Sequence, residues 1–444
     1  MTKGIFTVCG LFAVTILSWI FTSPVTDDNF TYLFAQLIGT LALVGFACSF
    51  IITTRHPWLD GLWGGLDRAY IAHKWIGIGS VGLAIAHIII LQASEHASTN
   101  GLDGLGAAEA FHIPGIPSLV LFIALALAAI IAKKVKYETW KTIHKFMLLP
   151  YIFGLAHYYS ASSYNPFELA PFGIWLNIIN FIGIISAVYS IFLYERIAFP
   201  YKYKVVSVQH IAKKTFEITG QAINKHIVHR AGQFTFLKIT KGDAQFSSHP
   251  FTISSAPHKD SIQFSIKALG DNTTQLMETV KTGDEFVVTK PHGKFNYTAG
   301  SKHQIWIAGG IGITPFRSFC QTDIPKEFSI DFFYAYNGEE GAYINELKAI
   351  GKNNLCIHLI DSTKQGYLTV DKIQEKISAE NPFDIYFCGP KPMRESLRNN
   401  LENSKIRVLG FHFEEFTFGR NEKNKSRRGK KGHNRKLHAH FTKF

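Results

Sequence analysis

Charge is scarce in this sequence. Asp, Glu, Lys and Arg make up 18% of 444 residues against 47% apolar ones, and the mean hydropathy is +0.07. That balance excludes a chain disordered throughout and is too poor in charge for a purely water-soluble protein. Cysteine is sparse as well. Cys9, Cys48, Cys320, Cys356 and Cys388 show no CxxC or paired spacing, and two lie inside apolar runs, so the spacing points to neither a disulfide scaffold nor a zinc site. Acidic residues nearly vanish at the end, where Thr417 to Phe444 holds ten Lys/Arg against Glu422 alone and carries +9 of the net +13. A nucleic-acid partner would rest on this tail only, and no aromatic interleaving accompanies its charges, so no nucleic acid is expected. The tail reads as a solvated, disordered segment, with adhesion to an anionic membrane lipid surface as the alternative.

The apolar residues gather between positions 1 and 196. Six stretches, at about 4–22, 31–53, 71–92, 117–132, 145–161 and 173–194, each approach the ~20 residues a helix needs to cross a bilayer. The first has no small-x-small cleavage pattern before Pro24 and reads as a retained helix, not a signal peptide. Lys and Arg are missing from 22–30, 93–116 and 162–172, whereas Arg55, Arg68, Lys133, Lys134, Lys136, Lys141, Arg196, Lys202 and Lys204 flank the opposite ends. The positive-inside rule then predicts a six-span integral membrane protein with both termini, and everything after 196, in the cytoplasm.

Hydrocarbon penalises polar groups that lack partners, so ionisable residues within spans are functional candidates. His73 and His87 lie fourteen residues apart in the third stretch, and His144 and His157 thirteen apart around the fifth. At ~1.5 Å per residue each pair is separated by about 20 Å along its helix. Both stretches run from inside to outside, which puts His73 with His144 at an inner level and His87 with His157 at an outer one. Two levels with one imidazole from each helix suit two stacked haems, each iron held by two histidines. A packing role is the alternative for any single histidine, and zinc fits less well because two ligands per level leave a tetrahedral site unfilled. Fourteen residues return within about 40° of one helix face, but thirteen miss it by about 140°. Pro150, between His144 and His157, is expected to kink or rewind the fifth span and correct the phase.

Residues 200 to 298 change texture to short alternating strands between Gly, Asp and Lys turns, which predicts a small antiparallel barrel. From about 303, apolar strands alternate with helical segments, which predicts a parallel sheet open to a nucleotide. The GxGxxG fingerprint is absent. In its place Gly309-Gly310-Ile311-Gly312-Ile313-Thr314-Pro315 follows a buried strand and opens a helix, so its amides and the helix dipole can face a pyrophosphate. Taken alone, that segment could equally be a structural turn.

Its neighbours add weight. His249-Pro250-Phe251-Thr252-Ile253-Ser254-Ser255 resembles the flavin motif of the ferredoxin–NADP reductase superfamily, and Lys267 with Gly270-Asp271-Asn272-Thr273-Thr274 resembles that family's pyrophosphate-binding segment. Phe387-Cys388-Gly389-Pro390 is similar to the strand end beside the nicotinamide, and Glu414-Glu415-Phe416 to the terminal aromatic that covers the flavin. With the four histidines, residues 5 to 418 resemble the transmembrane ferric reductase and NADPH oxidase superfamily, closest to bacterial single-chain members. The resemblance implies a six-helix transmembrane di-haem domain at 1–198, an FAD-binding β-barrel at 199–299, an NAD(P)-binding α/β domain at 300–418 and a basic tail at 419–444. It implies FAD, two haem b groups and NADPH or NADH as donor, with Phe416 and Cys388 at the hydride-transfer site. Where many relatives carry an arginine favouring NADPH, this chain has Asn337, Glu339 and Glu340; the acids disfavour an extra phosphate, and Lys364 and Arg317 are the cations available to offset them. The expected reaction carries electrons from cytosolic NAD(P)H to dioxygen or a ferric chelate outside; the alternative is a relay that reduces a docked redox partner or quinone.

Overall fold

Hydrocarbon offers backbone amides no partner, so the apolar half must satisfy them within helices. The computed structural model describes residues 3–22, 30–98, 114–131, 137–161, 169–241, 244–245, 248–257, 260–377, 381–402, 404 and 406–414. Phe416 and the basic tail lie outside the described residues. The first eight helices are α1 (Lys3–Thr22), α2 (Phe30–Thr53), α3 (Pro57–Trp63), α4 (Leu66–Ser98), α5 (Gly115–Ile131), α6 (Tyr137–Lys145), α7 (Leu148–Ala161) and α8 (Pro171–Val188). The last continues through a π turn at Tyr189–Leu193 to Ile197. Among the described residues α1, α2, α4 and the run 171–197 are long and apolar enough to cross a membrane, while α5 has 17 residues. The central helix is α2, whose Leu37, Leu41, Val44 and Cys48 are buried in one core with Phe122, Tyr151, Leu155 and Leu176. A Cβ at Gly183 would stand 2.9 Å from Ala47 Cβ and 2.6 Å from Tyr151 Oη, so only glycine lets α8 approach α2 this closely.

The fifth apolar stretch is not one helix. His144 lies in the last turn of α6, and Phe146 and Met147 turn through i→i+3 bonds, Phe146 N to Ile143 O at 3.1 Å and Met147 N to His144 O at 3.1 Å, before α7 begins. Such turns advance ~120° per residue against ~100° in an α-helix, which rewinds the chain between the two histidines. Pro150 falls in the first turn of α7, where a missing N–H is no loss. The expected kink or rewinding of the fifth stretch appears as a break between α6 and α7, just ahead of Pro150.

After residue 200 the pattern turns to period two, and seven antiparallel strands follow: β1 (Tyr201–Ala212), β2 (Thr215–Ala222), β3 (Phe234–Lys241), β4 (Ala244–Gln245), β5 (His249–Thr252), β6 (Ser261–Lys267) and β7 (Glu285–Val288), with α9 (Asp271–Thr279) between the last two. Their order is β4-β3-β7-β1-β2-β6, β5 pairs with β3, and a bridge between Ile253 and Phe264 joins the two ends of the sheet. Phe216, Ile218, Phe264 and Phe286 fill the interior.

A parallel sheet completes the chain: β8 (His303–Gly309), β9 (Ser329–Tyr336), β10 (Leu355–Asp361), β11 (Phe383–Cys388) and β12 (Val408–Glu414), in the order β10-β9-β8-β11-β12. Helix α10 (Ile313–Cys320) follows β8, and α11 (Ile344–Lys348), α12 (Ser362–Gln365), α13 (Val370–Gln374) and α14 (Lys391–Leu401) complete the connections. The winding direction reverses between β8 and β11, and the crevice at such a reversal, beyond the carboxyl ends of the strands, is where α/β sheets bind ligands.

Two joints hold the parts together. At the membrane side, the Arg55 guanidinium lies 4.7 Å over Tyr194 and 4.6 Å over Phe236, with its Nε donating to Tyr70 Oη at 2.6 Å. Asp60 of α3, buried, accepts from Gly293 N at 3.1 Å and pairs with His292 Nδ1 at 3.3 Å. Between barrel and parallel sheet, buried Arg317 of α10 pairs with Glu217 at 3.0 Å and Glu346 at 2.9 Å and donates to Ser254 O at 3.2 Å. Breaking a buried pair leaves an uncompensated charge and costs about 3–5 kcal/mol. Arg317→Met is thus expected to lower the melting midpoint of the reductase half by about 10 °C in a detergent thermal melt, and Arg317→Met with Glu217→Gln to recover much of that loss.

Candidate functional site

The imidazoles meet as paired levels. His73 on α4 and His144 on α6 have ring centres 6.0 Å apart, and His87 on α4 and His157 on α7 have theirs 6.2 Å apart. Two imidazoles on opposite sides of one metal stand about 6 Å apart, from ~2 Å per metal–nitrogen bond and ~1 Å from each nitrogen to its ring centre. His73 Nδ1 lies 3.2 Å from Ser49 O and His87 Nδ1 2.7 Å from Ala35 O, both on α2. A ring whose Nδ1–H donates to a carbonyl keeps its Nε2 lone pair for a metal. The outer level is seated on glycine: a Cβ at Gly39 would meet His87 Nδ1 at 2.9 Å, and one at Gly115 would meet the His157 ring at 3.1 Å.

Strand β5 places the flavin-motif residues on alternate faces. His249 and Phe251 face a hollow shared with Asn272 and Thr273, and His249 Nε2 contacts Asn272 Nδ2 at 2.9 Å. Pro250 faces a larger cavity of about 130 Å³, which is lined also by Phe234, Gly293 and Phe295, by Gly64, Gly65, Asp67 and Arg68 of the membrane half, and by Tyr386, His412, Phe413 and Glu414. Gly64 and Gly65, at φ +77° and +134°, make the turn between α3 and α4 that brings backbone to this cavity. Phe251 therefore lies on the far side of β5 from the cavity, whose aromatic walls are Phe234, Phe295 and Phe413. Thr252 Oγ1 and Ser254 Oγ are buried with no hydrogen-bond partner, an arrangement that suits a polar group entering from outside the chain. Ser255 Oγ instead accepts from Gln263 N at 3.2 Å.

The pyrophosphate-type segment is partly engaged. Thr273 Oγ1 caps α9 by accepting from Leu269 N and Gly270 N, and Thr274 N donates to Gly270 O at 2.9 Å. Lys267 Nζ pairs with Glu340 at 2.7 Å, and Lys213 with Glu339 at 3.0 Å. The acidic pair thus faces lysines of the barrel and gives no charge argument against NADPH. Arg317 is committed to its buried network, whereas Lys364 is exposed and stands 4.0 Å from Asp361.

At the reversal of the parallel sheet the two nucleotide segments touch. A Cβ at Gly312 would stand 2.2 Å from Cys388 O, and one at Gly309 2.8 Å from Pro390 Cδ, so glycine is required for Gly309–Gly312 to lie against Cys388–Pro390. Gly310, at φ +55°, faces open space, and Thr314 Oγ1 donates to Ile311 O at 3.2 Å beside Pro315 in the first turn of α10. Cys388 is fully buried in register with Glu414 of β12, and burial, then Glu414, pushes its thiol well up. The sequence placed Glu414 only in the run that ends at Phe416, with no role of its own. Burial and then the charges of Asp67 and Asp60 push its carboxyl well above the usual range, and its Oε2 has no partner.

Comparison with known proteins gives the same order of parts. Residues 38–155 match the ferric reductase like transmembrane component, 200–307 an FAD-binding domain and 306–399 the oxidoreductase NAD-binding domain. Dual oxidase 2 of Rattus norvegicus is 26% identical over 362 residues, covering 70% of this chain and 22% of its own length. The carnitine monooxygenase reductase subunit of Escherichia coli (strain K12) is 27% identical over 190 residues, covering 42% of this chain and 58% of its own. The chain thus spans about a fifth of the dual oxidases it matches. Among solved structures, the flavohem-like FAD/NAD binding domain of nitric oxide dioxygenase from Vibrio cholerae O1 biovar El Tor aligns with 18% identity and a TM-score of 0.41, covering 48% of this chain and 99% of that one.

A carboxyl raised on folding keeps its proton in the folded state, so its ionisation destabilises the fold increasingly as pH rises above the ordinary carboxylate range. Glu414→Gln preserves the neutral shape. Its gain in melting midpoint over the parent is expected to be smallest near pH 4 and to grow towards pH 8, which a pH series of thermal melts in detergent checks.

Proposed function

From the premise that this chain joins a ferric reductase-like membrane component to FAD-binding and NAD-binding domains, and is homologous to dual oxidase and to the flavohaemoprotein and ferredoxin reductase family, we propose that it moves electrons from cytosolic NAD(P)H across a membrane to dioxygen or a ferric chelate. The observation that carries this reading is the pair of imidazole levels, 6.0 and 6.2 Å between ring centres, on helices that lead away from the flavin-motif cavity. Six spans with both termini cytoplasmic follow if α6 and α7 together make the fifth.

When bound, FAD takes a hydride and releases single electrons, which haem irons relay. His73 with His144 would hold an inner haem b, and His87 with His157 an outer one. Ser49 O and Ala35 O orient the rings of His73 and His87, with Nε2 of each as the ligand atom. Thr252 and Ser254 offer hydroxyls to the flavin, Pro250 and Phe234 wall its cavity, and His249 with Asn272 marks the hollow beyond. The amides of Gly309–Gly312 and the end of β11 at Cys388–Pro390 frame the nicotinamide nucleotide, and Phe416 keeps the part of a ring that must leave before nicotinamide reaches the flavin. Asp60 and Arg55 hold the barrel against the membrane half, so the cavity lies beside the helix that carries His73.

The test separates these roles. Anaerobic NADH or NADPH is expected to bleach flavin and raise reduced b-type haem bands, His73→Ala to abolish the haem response, and His157→Ala to remove the outer haem's share of it while the inner share remains. Asp60→Ala is expected to leave flavin bleaching at the parent rate while slowing haem reduction at least tenfold, because it frees the barrel from α3. Flavin bleaching without any haem signal in haem-loaded protein would refute the reading, and air or ferric chelate then sorts the acceptors.

A further inference from the structure

The sheet edge away from the nucleotide crevice carries a donor group that the electron path does not use. Asp331 of β9 and Cys356 of β10 are direct neighbours in the parallel register, and His358 lies two residues beyond Cys356, hence on the same face. One ligand atom from each of the three lies within 4.8 Å of the others, and no other such trio of His, Cys, Asp or Glu occurs among the described residues. We propose that Asp331, Cys356 and His358 form a zinc-binding site with a fourth position open to water.

The geometry is close to what a tetrahedral ion needs. His358 Nε2 is 3.0 Å from Asp331 Oδ1, and the ring is stacked on Phe333 at 4.4 Å between centres with planes 22° apart. Two zinc bonds of ~2.0–2.1 Å at a tetrahedral angle hold nitrogen and oxygen about 3.3 Å apart, so this pair opens by only a few tenths of an ångström. Cys356 is exposed, and its sulfur already lies within 4.8 Å of the other two ligand atoms. One thiolate, one imidazole and one carboxylate is a donor set of the borderline softness zinc prefers.

A divalent ion takes the Asp331 carboxylate and the Cys356 thiolate as ligands and releases the thiol proton to solvent. Asp331 and Cys356 sit near the start of β9 and β10 and His358 at the middle of β10, whereas the crevice opens beyond the far strand ends, ~10–16 Å away at ~3.3 Å per residue. The bound ion would clip the edge strand β10 to β9 and shield an exposed thiol from oxidation. The competing account, a plain His358–Asp331 ion pair with a bystander thiol, predicts no part for sulfur.

Full-length protein in detergent, treated with zinc sulfate and washed against a weak chelator, decides between them. The expected result is a zinc K-edge absorption spectrum with one sulfur at ~2.3 Å, and zinc affinity at least tenfold lower in Cys356→Ser and in His358→Ala. Alkylation of the Cys356 peptide by iodoacetamide, read by mass spectrometry, should slow at least tenfold with zinc. Nitrogen and oxygen ligands alone, equal zinc retention by Cys356→Ser, or an unchanged alkylation rate would overturn the site.

Discussion

Fourteen residues separate the two histidines of α4 and thirteen separate those facing them, and the membrane half depends on how that mismatch is resolved. A continuous fifth helix would turn one imidazole away from its partner by well over a right angle. The chain breaks at Phe146 and Met147 instead, and His144 and His157 each stand about 6 Å from a ring of α4. Helix α2 supplies the backing. Its Ser49 and Ala35 carbonyls hold the α4 rings, and its Gly39 makes room for one of them. Each paired level is thus a three-helix construction, in which the residues behind the imidazole are as specific as the imidazole.

The same economy of position governs the cytosolic parts. The cavity beside Pro250 is lined from all three regions, and buried polar groups stand around it. Asp60 reaches from α3 to the 292–293 turn, Arg317 ties α10 to the barrel wall, and Glu414 closes the end of β12. Buried polar links of this kind hold register strictly, because a partner lost leaves a desolvated charge behind. The approach of Gly309–Gly312 to Cys388–Pro390 adds a steric constraint at the sheet reversal that no side chain satisfies.

Much of this layout was legible in the sequence, for definite physical reasons. Long apolar runs, period-two strands and a glycine turn after a buried strand report local geometry, and the histidine spacing reports helix level directly. Cross-domain partners leave no such periodic trace. Nothing in the spacing shows that Glu339 and Glu340 face Lys213 and Lys267, that Arg317 is buried between two glutamates, or that Asp60 caps a turn more than two hundred residues away. The break ahead of Pro150 was anticipated from helix phase, but its place was not, because i→i+3 tightening depends on packing around the turn. The Asp331–Cys356–His358 trio escaped for a related reason: its spacing is set by strand register, so cysteine counting cannot find it.

The central claim is that two bis-imidazole levels exist, and electron paramagnetic resonance of the oxidised, haem-loaded full-length protein tests it most directly. The account predicts two low-spin signals of the bis-imidazole type, one lost in His73→Ala and the other in His87→Ala, each variant leaving its counterpart in place. A single low-spin signal, or high-spin iron unaffected by either substitution, would contradict it.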